Sequence, residues 1–225
     1  KLRQFYRKFY RPDNVMVIVA GKFEDKEALG YLKKYFGVLS NPEAPLDDTY
    51  TTEPAQDGER TVVVRRVGET QLVGNAYHIP SGSHPDYAAA KALVYILSDQ
   101  PSGRLYRGLV ETEVATSVYA LANGFAEPGL FMTLAEVPGT GSIEQARLKM
   151  TDIVEHSFRE DPVTEQEVKR AVQQILKSRE LEASDSDQIA ISLSDWAAQG
   201  DWRLYFLYRD AIETLTPAEV QSVAD

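Results

Sequence analysis

The sequence predicts an α+β fold, with helices packed on one face of a mainly antiparallel sheet. Three observations point there. Strand-like runs cluster between residues 61 and 137 and are broken by only two helical stretches. From residue 143 onward the periodicity is helical alone. Strands and helices are thus segregated along the chain rather than strictly alternating, as a doubly wound parallel sheet would require.

At the start of the chain, Leu2, Phe5, Tyr6 and Phe9 recur at helical spacing, with Arg3, Arg7 and Arg11 on the opposite face. An anion-binding helix is one reading. A solvated basic face over an aromatic stripe suits the acidic whole far better. Pro12-Asp13 ends this helix. Residues 15–20 (VMVIVA) are a continuous apolar run, as in a strand buried on both faces, and Gly21 closes it. Open apolar edges recruit other strands, so this run is expected to pair. Its partner would be an edge of the following sheet or the same segment of a second copy. Residues 25–39 read as a helix with Ala28, Leu29, Leu32, Tyr35 and Phe36 inward.

Residues 40–60 hold three prolines and six acidic residues without periodicity, which marks a linker between a unit at 1–39 and a unit at 61–225. Beyond it, residues 61–67 and 71–79 are strand-like and separated by Gly68-Glu69, a spacing that suits a hairpin or close neighbours. After a loop at 80–83, Pro85 suits the first helical position, with His84 beside the N-cap. Residues 87–97 form an alanine-rich helix suited to lying on a sheet. Residues 103–111 form a short helix that turns directly into a strand over 114–121. On that strand Val114, Thr116, Val118 and Ala120 point one way, and Ala115, Ser117, Tyr119 and Leu121 the other. Leu105, Leu109 and Val118 are predicted core residues. Glu127-Pro128-Gly129 is a turn and 130–137 a further strand, giving the order β-β-α-α-β-β.

The helical third opens at 143–158, with Ile143, Ala146, Met150, Ile153, Val154 and Phe158 on one face. Thr164 and Glu167 form a capping box for a helix that buries Val168, Ala171, Val172, Ile175 and Leu176. A polar break at 182–187 precedes a helix carrying Ile189, Leu193 and Trp196, which Gly200 interrupts. An aromatic-rich helix spans 202–215. Thr216-Pro217-Ala218-Glu219 is a second capping box, with proline at the first helical position.

Composition excludes several function classes. The 225 residues suffice for one large domain or two small ones. Hydrophobic residues at 43% and charged residues at 26% are ordinary for a globular chain, which argues against disorder. A net charge of −10 argues against a nucleic-acid partner, because phosphate binding needs a basic surface. The absence of cysteine excludes disulfides and thiolate metal sites. No apolar run approaches the roughly 20 residues of a membrane span, so no membrane contact is expected. The chain opens inside a helical pattern without Met and stops where a last helix has barely begun, which reads as a piece of something longer.

Linked segments carry a family resemblance. They are FYRKFYRPDNVMVIVAGKFE near the start, YHIPSGSHPDYAAAKALVYILSD, and SGRLYRGLVE followed by ATSVYA. Together these resemble the pitrilysin/insulinase zinc metallopeptidases, whose relatives include mitochondrial processing peptidase subunits and respiratory-complex core proteins. The resemblance covers nearly the whole chain and implies the same α+β architecture. Catalytic members carry an inverted zinc motif, HxxEH, whose histidines hold the metal while the glutamate acts as general base. This chain has three histidines, His78, His84 and His156, and none lies in HxxEH. The nearest approach is Asp152-Ile-Val-Glu155-His156, with aspartate where the first histidine would stand. That stretch falls after the last predicted strand, on the polar face of an amphipathic helix with Lys149 and Arg159. Asp152–His156 and Glu155–Arg159 are ordinary i,i+4 pairs worth roughly 0.3 kcal/mol each. His78 and His84 flank a loop near Asp86 without metal-ligand periodicity.

The expectation is therefore no catalytic residue, no metal ligand and no cofactor in this chain, with zinc expected in its parent protein. The substrate-binding residues are unassigned. The resemblance places an arginine and a tyrosine that grip the substrate backbone in the helix-to-strand stretch of the family's non-catalytic half. Val110 and Ser117 occupy those positions here. The implied reading is the part of the zinc-bearing half downstream of its motif: residues 1–39 as the tail of the zinc domain and 61–225 as the next domain. Such a piece would help wall a peptide-enclosing chamber. Its expected partners are the remaining domains of the parent and the parent's peptide substrate, with a dimer of the fragment through residues 15–20 as a further option. The resemblance also allows a bacterial periplasmic setting. Two alternatives stand beside it: a catalytically inactive scaffold or core-protein-like subunit of the same fold, and a free-standing α+β binding module.

Overall fold

A computed structural model describes residues 1–46 and 54–225. The chain divides into two units, Lys1–Arg66 and Val67–Asp225. Residues 47–53 of the expected linker lie outside the described residues.

In the first unit, α1 (Leu2–Phe9) and α2 (Asp25–Tyr35) form where helical periodicity predicts them. Their apolar faces are not covered. Phe5, Tyr6, Leu29, Tyr35 and Phe36 are exposed, and Ala28 and Leu32 are half-buried. The α1 aromatics pair with one another, Phe5 on Phe9 at 4.8 Å and Tyr6 on Tyr10 at 4.5 Å. Arg11 is the one buried residue among those described in this unit. Its guanidinium donates to the Asp13 carboxylate at 2.6 and 2.7 Å and to the Ala44 carbonyl at 2.6 Å. Val15 is extended, at φ −126° and ψ 133°, and residues 15–20 belong to no helix or strand. They form no ladder among the described residues, which leaves the same segment of a second copy as the expected partner. Apolar character identifies such a run as strand-like, but a ladder also needs a partner edge, and this unit's described residues supply none.

The second unit holds the core. β1 (Thr70–Ile79), β2 (Ser117–Asn123) and β3 (Gly129–Pro138) form an antiparallel sheet of order β1-β3-β2. Thr70 pairs with Pro138 and Ile79 with Gly129 on one side of β3; Ser117 pairs with Glu136 and Asn123 with Leu130 on the other. The expected strand at 61–67 is absent. Those residues belong to no helix or strand and are exposed, Val67 wholly so. A two-residue hairpin would need left-handed backbone at its turn. Gly68 does not adopt it, since the positive-φ glycines are Gly21 and Gly200.

Helices cover one face of this sheet, as α+β segregation predicts. The alanine-rich α3 (Tyr87–Ser98) lies against β2, and α4 (Ile143–Glu155) against β1 and β3. Pro85 sits in the turn before α3, where the Tyr87 N–H bonds the His84 carbonyl, and not at its first helical position. The helix after Gly103 is a tight turn that widens over Tyr106–Val110 into π geometry, with the Glu111 N–H on the Tyr106 carbonyl. Gly108 makes this possible: a Cβ there would meet Ile153 of α4 at 2.3 Å. Leu105 and Leu109 are fully buried and Val118 nearly so, as expected. Strand alternation starts only at Ser117. Before it, the Val114 and Ala115 N–H groups both bond the Leu109 carbonyl and Glu113 takes a positive φ, which turns Ala115 inward.

The expected helix at 143–158 breaks at His156 and resumes as α5 (Ser157–Glu160); Ala146, Met150 and Phe158 are buried, while Ile143 is exposed. α6 (Glu165–Ala183) and α9 (Pro217–Ala224) both start in complete capping boxes, at Thr164/Glu167 and Thr216/Glu219. Between them lie α7 (Ser186–Ala198) and α8 (Leu204–Glu213), separated at Gly200, whose φ is +126°. Tyr87, Trp196 and Tyr208 meet in an aromatic cluster with centroids 5.1 to 6.1 Å apart.

Candidate functional site

The face of the sheet opposite the helices is the feature on which a ligand could lie. Alternation along each strand decides its composition. Val73 and Tyr77 of β1, Phe131 and Ala135 of β3, and Val118 and Ala120 of β2 point to the core. The opposite positions form four cross-strand rows: Leu72–Glu136–Ser117, Gly74–Leu134–Tyr119, Ala76–Met132–Leu121 and His78–Leu130–Asn123. Leu72, Tyr119 and Leu121 are exposed, and Leu130, Met132, Leu134 and Glu136 half-buried. Gly74 lets Leu134 lean across β1, since a Cβ there would stand 2.6 Å from the Leu134 Cδ2.

This face is held flat against α3 from behind. The Tyr87 hydroxyl donates to the Ala122 carbonyl and accepts from the Gly124 N–H, both at 3.1 Å. The Lys91 ammonium donates to the same carbonyl at 3.2 Å. Burial lowers the Lys91 pKa, opposed by Glu182, and raises that of Tyr87, opposed by the Gly124 N–H. The raised pKa keeps the Tyr87 hydroxyl protonated, as its bond to the Ala122 carbonyl requires. A Cβ on Gly124 would meet the Tyr87 ring at 2.7 Å, so glycine is required for this close approach.

Ser117, at one of the two positions where the family resemblance implies a gripping side chain, opens β2 on the exposed face. Its hydroxyl donates to Glu136 Oε2 at 2.8 Å. Val110, the other, ends the π-type turn and packs against the core. The two are not brought together as a polar pair. Glu136 was not singled out from sequence. The signal was there: it is the one charged residue in the run from Gly129 to Pro138.

The histidines do not converge. His78 lies on the open face opposite Leu130. His84 Nδ1 accepts from the Asp86 N–H at 3.2 Å and stands 3.5 Å from the Asp86 carboxylate, both side chains about half exposed. His156 caps the end of α4, 3.5 Å from Asp152, and the two are largely solvated. Glu155 turns away to accept from the Tyr77 hydroxyl at 2.8 Å. Among the described residues no group of three or more His, Asp or Glu side chains could hold a metal ion. The Asp152/His156 pair offers two ligands at most, on an open helix end, and does not fit a zinc ion, which takes three protein ligands in catalytic sites.

Comparison with known proteins comes down on one family. The profile described as the peptidase M16 inactive domain matches residues 1–175. A zinc protease, PqqE, of Helicobacter pylori is 29% identical over 137 residues, covering 60% of this chain and 31% of that protein. An uncharacterized zinc protease of Streptomyces coelicolor is 28% identical over 245 aligned positions, covering all of this chain and 50% of that protein. The chain thus spans half or less of these curated relatives. Among solved structures, the inactive peptidase domain of a candidate zinc protease from Bordetella parapertussis is 33% identical, covering 72% of this chain and 88% of that one, with a TM-score of 0.65. A protease from Helicobacter pylori superposes with a TM-score of 0.90 over 99% of this chain and 55% of its own, at 23% identity, which is a likeness of fold.

Proposed function

The chain belongs to the pitrilysin/insulinase (M16) peptidases as their inactive, non-zinc domain, and from that premise we propose that its open sheet face forms part of the wall of a peptide-enclosing chamber. The observation that carries this reading is the mostly apolar face built by Leu72, Tyr119, Leu121, Leu130, Met132 and Leu134, each exposed or half-buried among the described residues. A monomer does not leave such a patch in water without a use for it. An extended peptide matches its geometry, because strand side chains and peptide side chains share a repeat of about 6.8 Å per two residues.

In this reading the zinc and the general base belong to another domain of a longer protein. This chain's part is to bind, orient and exclude water from the peptide. No step through zinc is assigned to its residues. Residues 1–39 would complete the zinc-bearing domain, and 61–225 would be the domain that follows. The bare aromatic stripe of α1 and the unpaired run at 15–20 support that division, since both have apolar surface with no cover among their own unit's described residues. The parent's remaining domains and its peptide substrate are the partners.

Photocrosslinking tests the wall. A photoreactive residue is placed at Leu121 on the open face, and separately at Gln173 on the solvent side of α6. An unfolded, labelled peptide should crosslink from Leu121 and not from Gln173. Equal labelling from both, or none from Leu121, would refute the wall and favour a scaffold of the same fold.

A further inference from the structure

The open face carries one carboxylate amid apolar side chains. Glu136 sits in the row Leu72–Glu136–Ser117, next to the row Gly74–Leu134–Tyr119. It is half-buried. The Ser117 hydroxyl donates to Oε2, and Oε1 takes no hydrogen bond from the described residues. The Thr116 N–H and hydroxyl hold the Glu136 backbone carbonyl at 2.8 and 3.2 Å, so the residue is fixed at both ends. His78 is two rows further along the same face from the Leu134 row, and every other position in the four rows is apolar or neutral.

We infer that Glu136 determines specificity on this face by selecting a basic side chain in an extended peptide that is otherwise apolar. The inference rests on the reading of the face as a peptide-facing wall and adds the chemistry of its occupant. A half-buried carboxylate with one oxygen free discriminates in two directions. A guanidinium gains a charge-assisted hydrogen bond to Oε1. An acidic side chain meets like charge near apolar surface, where the repulsion is poorly screened. Ser117 is the positioning residue: its hydroxyl occupies Oε2 and aims the other oxygen outward. A larger side chain at position 117 would lie over the carboxylate, which gives the serine there a physical role.

The test uses three labelled nonapeptides of alternating leucine and serine that differ only at the centre, which is Arg, Gln or Glu. Their binding to the full chain is followed by fluorescence anisotropy. The Arg peptide should bind roughly fivefold more tightly than the Gln peptide, and the Glu peptide more weakly still. Glu136→Gln should abolish the Arg preference, so that the Arg and Gln peptides bind alike. Ser117→Ala should reduce the preference without removing it. Circular dichroism shows whether the variants fold, and Glu136→Ser serves as the second variant if Glu136→Gln does not. Binding of all three peptides with equal affinity, or a preference that survives Glu136→Gln, would overturn the inference while leaving the wall intact. No binding of any peptide would overturn both.

Discussion

Arg104 and Glu167 form the buried ion pair that locks α6 to the turn after Gly103, and removing one partner should show it. Both residues are 6% exposed. The guanidinium meets the carboxylate twice, Nε on Oε1 at 2.8 Å and Nη2 on Oε2 at 2.9 Å. It also donates to the Asp161 and Pro162 carbonyls and lies over the Phe158 ring at 4.4 Å. Glu167 has a second duty, accepting from the Thr164 N–H and hydroxyl in the α6 capping box. Arg104→Met keeps the stem and deletes the charge. It leaves a buried carboxylate and two carbonyls without their donor, at a cost of about 3–5 kcal/mol. The pH dependence separates charge from packing. Burial by itself raises the Glu167 carboxyl; the Arg104 and Thr164 hydrogen bonds outweigh it and bring the pKa from 4.5 to about 2. A depressed carboxyl pKa stabilises the fold above about pH 4.5, and that stability is lost as pH falls toward 2. The displacement is worth about 3 kcal/mol. Urea unfolding followed by the fluorescence of Trp196 and Trp202 at pH 7 and pH 3 measures both. The gap between wild type and Arg104→Met should narrow at the lower pH. A gap that stays constant, or one below about 1 kcal/mol at pH 7, would refute the argument, the latter value being that of an exposed pair.

Leu109→Ala should cost about 2–5 kcal/mol in the same assay, because Leu109 is fully buried in the main core; a loss typical of a surface site would contradict that placement. Calorimetry of the chain with zinc should give no stoichiometric micromolar signal, and one that disappeared in His156→Ala would revive the Asp152–His156 site. Limited proteolysis should cut first between residues 41 and 57, part of which lies outside the described residues; first cuts within residues 103–121 would displace the boundary. Sedimentation should show weaker self-association for a version starting at Asp57 than for the full chain, and equal association would clear residues 15–20 of responsibility.

What the sequence made legible in the second unit was everything set by local chemistry. The capping boxes at Thr164/Glu167 and Thr216/Glu219 formed as written, because each is satisfied within four residues. The buried face of α6 and the alternation from Ser117 to Leu121 followed from period alone. The misses were non-local. Gly68-Glu69 had hairpin spacing but not hairpin backbone, and only the backbone decides whether the chain reverses there. The resemblance set Val110 and Ser117 where the family carries its gripping pair, with neither side chain present, but could not say that Ser117 would be paired across the ladder with Glu136, since cross-strand register is absent from a linear reading.

The first unit shows the limit of periodicity more sharply. Its helical signals hold, since α1 and α2 are helices, while the run at 15–20, expected as a strand, forms no ladder among the described residues. The apolar faces expected to be buried are exposed. An apolar stripe states that a surface is meant to leave water; it does not state what removes it. In the second unit the answer lies within the unit, and Leu105, Leu109 and Met150 reach full burial. In the first, Phe5, Tyr6, Val17 and Val19 find no cover among the described residues of their own unit. The two units therefore have different physical status. One closes a hydrophobic core around its sheet and keeps a single face open. The other carries apolar stripes that its own described residues leave exposed, which fits the proposed division between a zinc-bearing domain and the domain after it.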